Sequence, residues 1–439
     1  MHKLEIHNFG PLRHCDATLD ELVILIGPQS SGKSTVSKLF FFFLHIRDEY
    51  VKFLLNSTEK KNTKYLSRDF SKLIRKRFIE FWGPTPQGSD LKLKYQYSED
   101  VFIEIQLDSA RHRYIEPIIS DKIENSLIES YSSLKSGISR DKESSNLFNS
   151  ASAIANEISD SEKVNRLINT SKELFNFDEE LLFIPAGRSL LSTLSDQLQY
   201  IHPHQLDYPM RSFIERINNT KSFFGKSLDD IIREKQLLGE GEIWFSATRK
   251  VANIIKRILK GEYIHDKDGG KLYISKNSYT KINFASSGQQ ESIWILLSLF
   301  LVVLEKVKVQ IFIEEPEAHL FPVAQKEVVE LISFLHASMK TKFVLTTHSP
   351  YILSAINNHI YANELSRINL SETSSVINKN MWIDFDKVSG HFVNNGSLTD
   401  LADNSLKMLK TEIIDTASDL VNDEYDKLFD IDVRAQQND

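Results

Sequence analysis

The sequence predicts an α/β fold, and three segments carry that prediction. Residues 22–26 (LVILI), the run entering IFIEE at 311–315 and FVLTT at 343–347 are short continuous apolar stretches. Such runs mark strands covered on both faces. The first leads through a glycine-rich turn into an apolar helix that runs to about residue 55.

The other elements follow in chain order. Residues 2–9 alternate polar and apolar, as a half-buried strand does. Residues 91–97 and 101–107 flank SED and read as a hairpin. From 117 to 178 the chain is polar with helical spacing, a helical insertion whose inner part, 132–150, is expected to be mobile. Residues 181–185 (LLFIP) read as another buried strand, and helical patterns resume to about 260. A second hairpin-like pair at 262–284 surrounds DKDGG. Beyond the 343–347 strand a short hairpin and an amphipathic helix over about 399–429 are expected. No long internal repeat and no long heptad arm is visible.

With 439 residues the chain can bury a sizeable core, as one large domain or two moderate ones. Its net charge of −7 argues against a chain-wide attraction to nucleic acid, though not against a local basic patch. One cysteine, Cys15, rules out an internal disulfide and fits a reducing cytoplasm. The N-terminus reads as a strand and not as a targeting signal. The most apolar windows, 36–46 and 293–304, fall short of the roughly 20 residues that span a bilayer, so buried core helices and no membrane contact are expected.

Four motifs carry chemistry. GPQSSGKS at 27–34 fits GxxxxGK[ST] and sits between a predicted strand and a predicted helix. Its backbone N–H groups and the helix N-terminus suit phosphate oxygens. Gly27, Pro28, Gln29, Ser30, Ser31, Gly32, Lys33, Ser34 and Thr35 are therefore candidate ATP-binding residues. Lys33 would reach the β- and γ-phosphates, and the Ser34 hydroxyl would bind Mg²⁺. The strand at 311–313 ends in Glu314 and Glu315, placed so that one carboxylate can face Mg²⁺ and the next an attacking water. TTHSP at 346–350 puts His348 at a strand end, where it either meets a γ-phosphate or is structural. SSGQQE at 286–291 opens an apolar helix and alone would be only an N-cap.

In this order the four motifs resemble the ABC-type ATPases of the SMC, RecF and OLD group. The resemblance covers about residues 1–55 and 281–360. It implies a P-loop NTPase of ABC type with an antiparallel β-subdomain and a short helical insertion. The implied ATPase head is discontinuous, 1–116 and 262–375, around a lobe at 117–261 and before a C-terminal hairpin and helix at 376–439. Walker A is GPQSSGKS, Walker B is IFIEE, the D-loop is EAHL at 317–320 and the switch histidine is His348. The implied cofactors are ATP and Mg²⁺, the metal held by Ser34 and Glu314. Glu315 would polarise water and His348 would sense the γ-phosphate. Ser286, Ser287, Gly288 and Gln289 would form the signature and act in trans, in a head-to-tail dimer or a higher even assembly. Glu314 stands where the family usually has Asp, so slow turnover is expected. No Q-loop glutamine can be placed. Arg188, in FIPAGR at 183–188, either contacts nucleotide or makes a structural ion pair.

IEEPEAHLFP and FIPAGR also resemble the ATPase subunits of antiphage systems of the Septu and PARIS kind, retron-associated relatives included. That implies a sensor or scaffold working with a separate nuclease or toxin. Asp384 and Asp386 make an Asp-x-Asp, but too little chain surrounds them for the Toprim nuclease of OLD proteins. The alternative is a stand-alone DNA-repair ATPase of the RecF kind. The basic run at 60–77 is either a solvated helix face or a contact for nucleic acid or an acidic partner.

Overall fold

The computed structural model of the chain describes residues 2–57, 65–84, 90–107, 114–141, 150–193, 206–237, 242–275, 277–411, 422–429 and 431. In chain order the first half holds β1 (His2–Phe9), β2 (Leu12–Leu19), β3 (Leu22–Ile26), α1 (Lys33–Ser57), α2 (Leu66–Trp82), β4 (Lys92–Gln96), β5 (Phe102–Leu107), β6 (Ile115–Ile119), α3 (Asp121–Asp141), α4 (Ser150–Leu174), β7 (Glu180–Ile184) and α5 (Arg188–Thr193). Then come α6 (Tyr208–Thr220), α7 (Leu228–Leu237), α8 (Glu242–Leu259), β8 (Glu262–Asp266), β9 (Gly269–Ser275), β10 (Ser278–Lys281) and α9 (Ser287–Leu304). The last part holds β11 (Val309–Glu314), α10 (Pro322–Met339), β12 (Lys342–Thr347), α11 (Pro350–Leu365), α12 (Leu370–Val376), β13 (Val388–Asn394), β14 (Ser397–Asp400), β15 (Ala402–Asp403) and β16 (Met408–Leu409).

A six-stranded sheet in the order β14-β13-β3-β12-β11-β7 forms the centre. All its neighbouring strands are parallel except the edge hairpin β13–β14. The apolar runs read from sequence are its middle strands, and their alternation splits the core in two. Leu22, Ile24 and Ile26 of β3 face the helices α8 to α11, while Val23 and Leu25 face α1. Ile311, Ile313, Phe343 and Leu345 join the first cluster, Phe312 and Val344 the second.

Helix α1 is sandwiched between this sheet and a five-stranded antiparallel sheet, β2-β1-β4-β5-β6. Phe40, Phe41, Phe42 and Phe43 are all buried, as a helix covered on every side requires. The apolar run at 293–304 lies within α9, the one described helix long and apolar enough to cross a bilayer. It is 72% buried inside the protein and serves as a core helix.

Several expectations change. The pair at 262–284 is a three-stranded antiparallel sheet, β10-β9-β8. Residues 12–19 form β2, which pairs with β1 along its length. Its small buried residues, Cys15 and Ala17, give a weak strand signal. A boundary at 117 would cut β6, whose Pro117 is tolerated because β6 is an edge strand. The helix expected over 399–429 is replaced at its start by β14, β15 and β16. Residues 422–429 are helical, and 412–421 lie outside the described residues. Residues 132–141 continue α3, and 142–149 also lie outside. Strands from all three expected segments share one sheet: β7 comes from the lobe and β13 from the C-terminal segment.

Candidate active site

Four parallel strands, β3, β7, β11 and β12, end on one side of the central sheet, the side where open α/β sheets bind ligands. The loop after β3 is the GPQSSGKS segment, and it leads directly into α1. Gly27 presses against the C-terminal hairpin. A Cβ there would stand 2.2 Å from the Val393 carbonyl oxygen, with φ at 154°. Gly27→Ala is therefore expected to lower stability by about 3 kcal/mol and to abolish nucleotide binding, because backbone and not a soft side chain must yield. Thermal melting and nucleotide titration check it.

Lys33 is 4% exposed. Its Nζ donates to the carbonyls of Gly27 (2.9 Å) and Pro28 (2.7 Å), and lies 3.4 Å from His348 Nδ1. Burial pushes its pKa down to about 8, against the pull of Glu315 and Glu317. Ser34 is exposed in the first turn of α1. The Ser31 hydroxyl is buried without a hydrogen-bond partner among the described residues, as befits a loop shaped for a ligand.

β11 delivers the two acids differently. Glu314 is buried; its Oε2 accepts from the Ala186 N–H at 3.1 Å, and its Oε1 has no partner among the described residues. Glu315 is half-exposed and left-handed, with φ at 46°. Such a backbone costs a non-glycine residue about 1 kcal/mol. Three bonds hold it there: its N–H donates to the Thr346 carbonyl at 2.8 Å, and its carbonyl accepts from Arg188 at 2.8 Å and from the Ala318 N–H at 3.1 Å. Its Oε1 lies 3.3 Å from His348 Nε2, so His348 stands between Lys33 and Glu315.

Glu317, within the EAHL segment, orients His348. Its Oε1 accepts from the Thr347 hydroxyl and from the His348 N–H, both at 2.7 Å. Sequence reasoning gave this residue no role of its own. An acid two residues beyond two others looks like part of an acidic turn until β12 is placed beside it.

The signature segment is the N-terminus of α9. Ser286 is the N-cap and forms a reciprocal capping box with Gln289. Gln289 also donates to the Leu259 carbonyl at 2.8 Å. Ser286 and Ser287 are exposed. Gly288 allows close approach to the EAHL turn, since a Cβ there would stand 2.7 Å from the His319 carbonyl oxygen. Two large apolar side chains, Phe284 just before the cap and Phe321 just after the EAHL turn, are 76% and 75% exposed.

Arg188 is fully buried, and its guanidinium is taken up by the chain itself. It donates to the carbonyls of Pro185, Glu314, Glu315 and Glu291. Of the two readings left open by sequence, the structural one fits this geometry. Removing one member of such a buried charged set typically costs about 3–5 kcal/mol. The signal that could have found its partner is Glu291, an acid at the start of an otherwise apolar helix.

The basic run is divided. Residues 60–64 lie outside the described residues. On α2, Arg77 pairs with Glu49 and Glu80, and Arg75 donates to the Ile115 carbonyl. Lys72, Arg75, Lys76 and Arg211 line a groove of about 860 Å³. Asp384 and Asp386 form a local turn, the first accepting from the second's N–H, and Asp386 pairs with Lys407.

Comparison with known proteins places the chain. The head domain of SMC bound to the C-winged helix domain of ScpA is similar over 92% of this chain and 98% of that one, at 12% identity and a TM-score of 0.41. The SMC head domain from Thermotoga maritima covers the same shares, at 10% identity and a TM-score of 0.35. A nucleotide-free ATP-binding cassette from an ABC transporter covers 92% and 93%, at 11% identity and a TM-score of 0.31. Likenesses this distant say nothing about what the chain binds. No curated protein was found to match it in sequence. Residues 1–353, most of the chain and all four motifs of the site, match the AAA ATPase domain family, and the protein belongs to that family.

Proposed function

We propose that two copies of this chain close head to tail on ATP. Each copy would hold a nucleotide on its own GPQSSGKS loop and cover its partner's with Ser286, Ser287, Gly288 and Gln289. The observation that carries this reading is the exposed N-terminus of α9. At the N-terminus of this helix of 18 residues Ser286 and Ser287 are exposed, as are Phe284, two residues before the cap, and Phe321, the neighbour in sequence of the Leu320 that faces Gly288. Backbone N–H groups at such a terminus suit a phosphate.

The family's nucleotide comes with a divalent metal, and the residues present fit one. The buried Oε1 of Glu314, without a partner among the described residues, is a carboxylate oxygen suited to a cation, and the Ser34 hydroxyl is exposed at the start of α1. Mg²⁺ held by Glu314 and Ser34 would supply charge neutralisation at the phosphates. Glu315 would accept the proton of an attacking water, and His348 would hold the γ-phosphate side of the site. Lys33 would leave its loop carbonyls for the phosphates.

In this reading the chain is the sensor or scaffold of an antiphage system and controls a separate nuclease or toxin. Support for that finer role is the resemblance of IEEPEAHLFP and FIPAGR to such ATPases. The internal engagement of Arg75 and Arg77 weakens the nucleic-acid reading of the basic run.

Light scattering with and without ATP–Mg²⁺, alongside phosphate release, tests the proposal. ATP is expected to double the mass, or to give a higher even multiple. An identical mass in both conditions with no phosphate released would sink it.

A further inference from the structure

Arg188 has the largest fully buried side chain among the described residues. Its rigid fork of donors joins three elements. From the first residue of α5, Nη1 reaches the Glu314 carbonyl at 2.7 Å and Nη2 the Glu315 carbonyl at 2.8 Å. Nε reaches the Glu291 carbonyl on α9 at 2.9 Å and lies 3.4 Å from that residue's carboxylate.

The same carboxylate accepts from the N–H groups of Arg188 and Ser189, both at 3.0 Å, and so caps α5. Ser192 of α5 donates to the Gln290 carbonyl and accepts from the Trp294 indole. Helices α5 and α9 are thus bolted together, and Ser286 caps the outer end of α9. The far end of the chain of bonds is Glu315, whose left-handed backbone is held at its N–H by the Thr346 carbonyl and at its carbonyl by Arg188 and the Ala318 N–H.

We propose that Arg188 is a positioning residue that couples the signature helix to Glu315 within one chain. A pull on the N-terminus of α9 by nucleotide bound to the partner copy reaches Glu315 through Glu291 and Arg188. It sets the Glu315 carboxylate only when the two copies have closed. This inference rests on the head-to-tail reading, and the experiment separates the two.

Hydrogen exchange of the full chain is measured for wild type, Arg188→Lys and Glu291→Gln, with nucleotide affinity, turnover and melting temperature. Glu291 bonds to Arg188 and the start of α5, and no bond joins it to Glu314 or Glu315. Both variants are expected to speed exchange in 311–318 by about 10-fold or more: Arg188→Lys removes the fork that reaches the Glu314 and Glu315 carbonyls, and Glu291→Gln weakens the carboxylate hold that positions that fork at the start of α5. Turnover is expected to fall by about 10-fold with nucleotide affinity within about 2-fold of wild type, the mark of a group that acts on the reacting residue and not on the ligand.

Unchanged exchange at 311–318 in Glu291→Gln would overturn the coupling, leaving Arg188 a local brace. Affinity falling in step with turnover would overturn it too, by making Arg188 a nucleotide contact. If Arg188→Lys does not fold, Glu291→Gln decides. If wild type neither assembles nor hydrolyses ATP, the head-to-tail reading fails, while the exchange arm still decides the link.

Discussion

Glu315→Gln is expected to cut ATP turnover by about 10³-fold, the usual range for loss of a positioned general base. It should also hold the ATP-bound dimer together. The carboxylate is half-exposed, so the amide fits without a buried penalty, and its backbone bonds to Thr346 and Arg188 do not involve the side chain. Nucleotide binding should therefore survive. What changes is the proposed proton acceptor and the contact with His348 Nε2, which in the wild-type chain lies 3.3 Å from the carboxylate and in the variant would face an uncharged amide. Single-turnover phosphate release and light scattering of the same sample are the checks. A variant that hydrolyses at the wild-type rate would move the general base elsewhere. One that loses turnover without a longer-lived dimer would separate chemistry from assembly.

Lys33→Met is expected to weaken ATP binding by about 100-fold, the loss of a charge-assisted contact to phosphate. It should do so without lowering the stability of the nucleotide-free protein. The sign follows from the pKa. Lys33 sits at about 8 in the folded chain because burial disfavours its charged form, whereas an unfolded lysine titrates near 10.4. The unfolded state therefore holds more protons between these values, and stability rises with pH across that window. Below about pH 8 the folded protein carries the full cost of a buried ammonium, which methionine removes. The melting temperature of Lys33→Met at pH 7 should equal or exceed that of wild type, and the difference should shrink toward pH 10. Phosphate favours the charged form, so wild type should take up about half a proton on binding ATP at pH 8. Titration calorimetry in buffers of different ionisation enthalpy measures it. No uptake at pH 8 would mean that Lys33 is already fully charged.

Much of the central architecture was legible before any coordinates. The runs at 22–26, 311–313 and 343–347 are β3, β11 and β12 because a strand covered on both faces must be apolar at every position. The loop between β3 and α1 was legible for a related reason: phosphate cradles need glycine where backbone must come close, and few sequences satisfy that by chance. Glu314, Glu315 and His348 stood out as candidates because each lies at the end of such a strand or directly after it.

The rest was decided by pairings between residues far apart in sequence. Nothing local in 388–400 says that β13 lies beside β3 and lays the Val393 carbonyl against Gly27. Glu317 becomes the holder of His348 only when β12 comes beside the EAHL turn. Arg188 read equally well as a nucleotide contact or an ion pair. A buried guanidinium takes whichever acceptors the fold brings within reach, and here these are carbonyls from β11 and α9. Candidate residues for the chemistry could be picked out one segment at a time, because apolar periodicity and glycine placement are local properties. Which residues hold the others in place could not, because a hydrogen bond between residues 31 or 103 apart leaves no periodic trace in the chain.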